Sequence, residues 1–184
     1  MMMPADLQSE RRKIRIAAFW SCVLTAHSLV FGYILLPGYI DLPEQMLDRL
    51  VFVLRADVFV LLWVLFGVGL VSRARRHSAA DINAALTGPP SPRMAVQAAF
   101  LQNTLEQAVL AMGAHLALAT LLQREAMSLI VVAVALFAVG RVAFLWGYRG
   151  GAGDRAFGMV TTTLPTLLGY AVAVALICAR LWRP

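Results

Sequence analysis

A chain of 184 residues that is 60% hydrophobic and 14% charged, with a mean hydropathy of +0.75, falls short of a soluble domain, in which roughly a quarter of residues are charged. Its apolar residues fall in runs far longer than barrel strands of roughly 9–11 residues, which leaves an all-α integral membrane protein whose first partner is the lipid bilayer. The net charge of +6 gathers at the ends of those runs, as topology and lipid head groups require, so no nucleic-acid partner is expected.

The first fifteen residues end in Arg11, Arg12, Lys13 and Arg15 and lead into an apolar run from Ile16 to Leu36. That run exceeds a signal-peptide core and lacks a small-residue cleavage site, so it reads as a retained span. His27 within it reads as a helix-to-helix hydrogen-bond donor. Pro37-Gly38 ends the helix, and a connection with Asp41, Glu44 and Asp48 follows. The second span runs from about Leu50 to Val71. Arg55 and Asp57 interrupt it early, two residues apart and therefore not facing each other; Arg55 reads as snorkelling at a boundary. Arg73, Arg75, Arg76 and His77 close it, and Thr87-Gly88-Pro89-Pro90 breaks the next connection.

The third span, Met94 to Leu122, would be about 43 Å long, more than the hydrocarbon core needs. It carries Gln102, Asn103, Glu106 and Gln107 in an otherwise apolar segment. Asn103 and Glu106 are three apart and Gln102 and Glu106 four apart, so on a helix they share a face. Amides and a carboxylate at membrane depth belong in a protein interior or an aqueous cavity. His115, nearer the other membrane face, reads as a packing residue. A fourth span from about Ala126 to Tyr148 contains Arg141. Arg149, Asp154 and Arg155 lie in a glycine-rich connection, and a fifth span, about Phe157 to Leu181, carries Pro165.

Cys22 and Cys178 lie within apolar runs without a CxxC or Cys/His cluster, so neither a disulfide scaffold nor a metal site is expected. The N-terminus and the 73–93 and 149–155 connections are basic, while 37–49 is acidic, which predicts a cytoplasmic N-terminus. Arg180 and Arg183 run against this rule but come late in the chain. The topology brings Arg73, Arg75 and Arg76, the 102–106 cluster, Arg141, Tyr148 and Arg155 to similar depth. Arginines suit carboxylates, Glu106 suits an ammonium and amides suit peptide groups, so the set fits a small, multiply charged ligand. A buried structural Glu106–Arg141 pair is the plainer reading of the same residues.

Gln102-Asn103-Thr104-Leu105-Glu106 resembles the Asn-x-x-Glu signature of the MAPEG proteins, the membrane-associated proteins of eicosanoid and glutathione metabolism. Arg141-Val-Ala-Phe144-Leu-Trp-Gly-Tyr148 is similar to that family's Arg-x-x-Tyr-x-x-Gly-Tyr segment, and Arg155 falls where the leukotriene synthase branch has its thiol-activating arginine. The resemblance implies a MAPEG-like four-helix transmembrane domain over 50–184, preceded by an extension, 1–49, with one extra transmembrane helix. It further implies a homotrimer in a bacterial inner (plasma) membrane. Glutathione would be the co-substrate, held by Asn103, Glu106, Arg141, Tyr148, Gln102, Arg73 and Arg76. Arg155 would be catalytic, stabilising a thiolate that attacks a lipophilic small-molecule electrophile. Val96 and Ala99 stand where the eicosanoid branch carries arginines, Gln107 replaces an aromatic that often follows the Glu, and Phe144 replaces the first tyrosine. Those departures frame the alternative, a non-catalytic accessory or scaffold subunit. A small-solute transporter is a third reading, without an inverted repeat to support it.

Overall fold

The computed structural model describes residues 4–83, 88–148 and 150–182; Thr87, Arg149 and Arg183 lie outside the described residues. Five helices take up the apolar runs: α1 (Pro4–Leu35), α2 (Met46–Arg76), α3 (Pro92–Leu121), α4 (Ser128–Gly147) and α5 (Ala152–Leu181). All five stretches are long and apolar enough to cross a membrane, and no strand occurs among the described residues. The chain is an all-α integral membrane protein of five spans. The start of α1, the end of α2, the start of α3, the end of α4 and the start of α5 share one end of the bundle, the arginine-rich end.

Between apolar helices in lipid there is little hydrophobic drive, so close packing and interhelical hydrogen bonds must join them. The tightest seam runs between α4 and α5. A methyl group on Gly140 would collide with Thr162 Oγ1, and one on Gly158 with the backbone of Phe144. The two backbones can approach this closely only because both positions are glycine. A second seam joins α2 to α3, where Val60, Ala108, Ala111 and Phe137 form a buried cluster with α4.

Helix α1 packs along α5. Ser21 Oγ donates to the Phe157 carbonyl and shares a hydrogen bond with Thr161 Oγ1, both at 2.9 Å. Nearer its start, Glu10 Oε2 accepts from the Gly153 N–H at 2.6 Å, while Lys13 bridges Glu10 at 3.1 Å and Asp154 at 3.9 Å. A carboxylate at a helix N-terminus satisfies an orphan donor and complements the dipole. Together with Gly151 at φ +101°, this contact starts α5 at Ala152 rather than near Phe157. Asp154 and Arg155 therefore stand in its first turns, not in a connecting loop. His27 differs from expectation as well. Its Nδ1 is 2.8 Å from the Val23 carbonyl in its own helix, and the residue is exposed, so it joins no second helix.

At the opposite end Arg124 ties the two connections together, reaching Glu44 at 2.7 Å and Asp41 at 3.2 Å. Arg49 donates to the Leu122 carbonyl and Arg180 to that of Leu121. Both cations complement the negative end of α3. At the start of α3, Ser91 caps the helix by accepting from Met94 N–H at 3.3 Å. Ser91 also donates its N–H and hydroxyl to Asp81 at 2.8 and 2.6 Å.

Two measurements test these ends. In Glu10→Ala the Gly153 donor loses its acceptor, so amide hydrogen exchange over residues 153–156 should quicken by roughly five- to tenfold, with the centre of α5 unchanged. The Ser91 hydroxyl, the Ser91 N–H and the Ser78 hydroxyl hold the Asp81 carboxyl below the ordinary aspartate value. A depressed native value stabilises the fold above the unfolded aspartate pKa of about 3.9, and that stability is lost as pH falls through the lower native value. Melting temperature should therefore drop below about pH 4 in the native protein, and less steeply in Asp81→Asn.

Candidate functional site

Arg141 is the largest fully buried side chain among the described residues. It follows Gly140, so the close α4–α5 crossing presses it against α5. Its Nε donates to Thr162 Oγ1 at 3.2 Å and its Nη1 to Asn103 Oδ1 at 2.7 Å. The guanidinium lies 4.7 Å from the centroid of the Phe144 ring and 5.6 Å from that of Phe137. Its Nη2 is buried and has no hydrogen-bond partner among the described residues. Desolvating a charge is costly unless it is paired and hydrogen-bonded. Here an amide, a hydroxyl and two ring faces solvate the cation in part, no carboxylate among the described residues salt-bridges it, and one donor group is left over.

An aromatic ladder leads from this cation to the arginine-rich end. Phe66 of α2 meets Phe100 of α3 edge-on at 6.5 Å, Phe100 lies 6.3 Å from Phe144, and Phe144 meets Tyr148 edge-on at 5.2 Å. Over the Tyr148 ring, at 4.6 Å from its centroid, sits the guanidinium of Arg155. Ring faces attract guanidinium groups, so the first turns of α5 and the end of α4 are joined at the two residues with predicted roles. Beside Tyr148 opens a groove of about 810 Å³ lined by Leu70, Arg93, Val96, Gln97, Leu145 and Trp146. The Gln97 side-chain oxygen is buried without a partner.

The structure thus brings Asn103, Arg141, Tyr148 and Arg155 into one connected set. Gln102 and Glu106 pair with each other, Gln102 Nε2 donating to Glu106 Oε1 at 2.8 Å, and both are exposed. The face shared by Asn103 and Glu106 is therefore split: residues three apart on a helix differ by about 60° in direction, and Asn103 turns inward while Glu106 turns out. No Glu106–Arg141 pair forms. Arg73 and Arg76 end α2 exposed, and the groove takes Leu70 from that helix instead.

Arg93, Gln97 and Thr162 were not expected. Arg93 and Gln97 are one helical turn apart, and the same four-residue step that pairs Gln102 with Glu106 marks them as neighbours. Thr162 carries no such sequence signal. Gln107 is buried and accepts from Thr163 Oγ1 at 3.0 Å, joining α3 to α5; its amide makes the helix contact there in place of an aromatic ring. His115 joins α3 to α2, with Nδ1 2.6 Å from Asp57 Oδ1 and both residues buried. Among the described residues no group of His, Cys, Asp and Glu could hold a metal ion.

The MAPEG family model matches residues 50–175, from the start of α2 into the last turns of α5. No curated protein and no solved structure gives a significant match. The match spans well over half of the chain and takes in the whole connected set from Asn103 to Arg155, leaving α1 before it. The chain belongs to the MAPEG family.

Proposed function

We propose that this protein is a glutathione-dependent transferase or peroxidase of the membrane, with Arg155 as the group that favours the thiolate. Membership of the family supports a glutathione-related transferase or related membrane function in general. One observation carries the finer reading: a fully buried guanidinium keeps an unpartnered donor, Arg141 Nη2, with only the Phe144 ring between that guanidinium and the Tyr148–Arg155 stack. A cation so placed fits an anionic ligand group better than it fits helix packing alone. Gln97, with an unpartnered oxygen, and Asn103 add amides of the kind that pair with peptide groups.

When bound, glutathione supplies the nucleophilic thiol. Arg155 lowers the cost of its ionised form, because an adjacent guanidinium brings a thiol pKa down from about 8.5 toward neutrality. The Tyr148 ring holds that guanidinium in place. Arg141, fully buried in the free chain, takes a carboxylate once binding uncovers its Nη2, Arg73 and Arg76 offer further positive charge at the same end, and Glu106 with Gln102 takes the ammonium. Exposed on an apolar helix face beside Leu105 and Val109, Glu106 would be expensive against lipid. A neighbouring subunit covers it in the homotrimer of this reading.

The lipophilic electrophile comes from the bilayer. A groove of about 590 Å³ between α2 and α4, lined by Phe59, Leu62, Trp63 and Phe66 among others, supports that approach, since Phe66 is the first rung of the ladder to Tyr148. In this reading the site lies on the cytoplasmic side of a bacterial inner membrane, an orientation that the basic ends support, and residues 1–49 form an extension to a four-helix domain, 50–184. A non-catalytic scaffold subunit is the competing reading, favoured by Val96 and Ala99, which put no charge on their exposed part of α3.

The deciding test is thermal stability in detergent with and without millimolar reduced glutathione. A ligand at 100 times its Kd adds about 2.7 kcal/mol. The native protein should show a shift of that order, Glu106→Ala should lose it, and Arg155→Ala should keep it while losing turnover of lipophilic electrophiles. No shift in the native protein selects the scaffold reading. A separate arm tests the buried cation: Asn103→Ala, which strips Arg141 of a second partner, should cost about 2–3 kcal/mol. Gln102→Ala, on the exposed side of the same helix, should stay within about 0.5 kcal/mol.

A further inference from the structure

A second polar site lies away from the arginine-rich end, in the other half of the bundle. His115 stands nine residues beyond Glu106, about 13 Å farther along α3. Its Nδ1 meets Asp57 at 2.6 Å, and the side chains of His115 and Asp57 are only 4% and 1% exposed. A carboxylate at Nδ1 favours the tautomer with the proton there, and in the neutral ring Nε2 then has a lone pair to offer. Nε2 has no partner among the described residues. The other Asp57 oxygen is buried and has no hydrogen-bond partner among the described residues. For packing alone, two apolar side chains would serve as well or better.

Next to this pair is a cavity of about 240 Å³ between α1, α3, α4 and α5. Small residues, among them Ala114, Ala133 and Gly169, leave it open, and among the described residues His115 is its only polar lining side chain. Leu168 and Val172, each 43% exposed, stand at its lipid-facing margin. One wall is Leu29 of α1, which lies outside the residues matched to the family. The site is thus completed by the helix that this chain adds to the matched region.

We infer that this cavity binds a small amphiphile from the bilayer, an aromatic or alicyclic body bearing a single hydroxyl, with that hydroxyl donating to His115 Nε2. Size and chemistry both point there. A cavity of about 150 Å³ takes benzene, so this one takes about ten non-hydrogen atoms, too few for a long acyl chain. Its one acceptor selects one donor, and the remaining wall is hydrocarbon. A phenol of ten heavy atoms meets both conditions.

The probe is 4-propylphenol, with 4-ethylanisole as a partner of the same size that cannot donate. Protein labelled with nitrogen-15 in its histidines and held in lipid nanodiscs reports each imidazole nitrogen directly, and His115→Asn assigns the resonances. The phenol should move the His115 Nε2 resonance saturably and leave those of His27 and His77 in place. The anisole should bind at least about tenfold more weakly, the worth of one buried hydrogen bond. Ala133→Leu, which fills the cavity without touching the pair, should abolish the response while the Nδ1 resonance keeps its carboxylate-bonded position. Equal affinity for the two probes, an unchanged Nε2 resonance, or undiminished binding in Ala133→Leu would overturn the inference. None of these outcomes depends on glutathione.

Discussion

The buried guanidinium of Arg141 is the constraint around which the bundle is arranged. A cation at this depth needs donors' partners and ring faces, and each comes from a different helix: Asn103 from α3, Thr162 from α5, Phe137 and Phe144 from α4 itself. Those contacts require α4 and α5 to cross at backbone distance, which glycine at 140 and 158 permits. A larger residue at either position would move Thr162 away and leave the charge poorly solvated. Fold and site therefore rest on one crossing. The same crossing sets the ladder through Phe144 and Tyr148, and so the place of Arg155.

Much of this was legible in the sequence because membranes make polarity expensive. Five apolar runs, their basic ends, and the rarity of Asn103, Glu106 and Arg141 inside them follow from the hydropathy pattern along the chain. The order of three short motifs then pointed to the family that the match over 50–175 establishes. What could not be read was direction on a helix to better than one residue step. Asn103 and Glu106 share a stripe on a helical wheel, yet about 60° suffices to turn one toward Arg141 and the other toward the surface. Thr162 was invisible for a different reason. Threonines are tolerated in membrane helices without a partner on another helix, since their hydroxyl can bond back to the preceding turn, as Thr162 does to Gly158 at 2.9 Å.

Helix boundaries went astray where the decisive contact was distant in sequence. A glycine-rich stretch with mixed charges reads locally as a loop, and Gly150 and Gly151 do form the turn. Yet α5 begins at Ala152 because Glu10, 143 residues away, supplies the acceptor that its first turn lacks. No window of sequence contains both partners. The Asp57–His115 pair is 58 residues apart and was read only as far as a packing histidine. Its carboxylate partner stood next to Arg55 in a pattern that suggested a membrane boundary.

The added helix links these two ends. At the arginine-rich end α1 holds the turn from which Arg155 rises; farther along, Leu29 closes the cavity beside His115. Between them Ser21 is fastened to Phe157 and Thr161, so α1 and α5 are joined at successive levels rather than at one point. A ligand lodged against Leu29 and Pro165 would press on the same pair of helices whose other end carries Arg155. Coupling between sites requires an element whose arrangement both can bias. Helices α3 and α4 reach both sites as well, and the α1–α5 seam adds a further link that exists because this chain carries a helix ahead of the residues matched to the family.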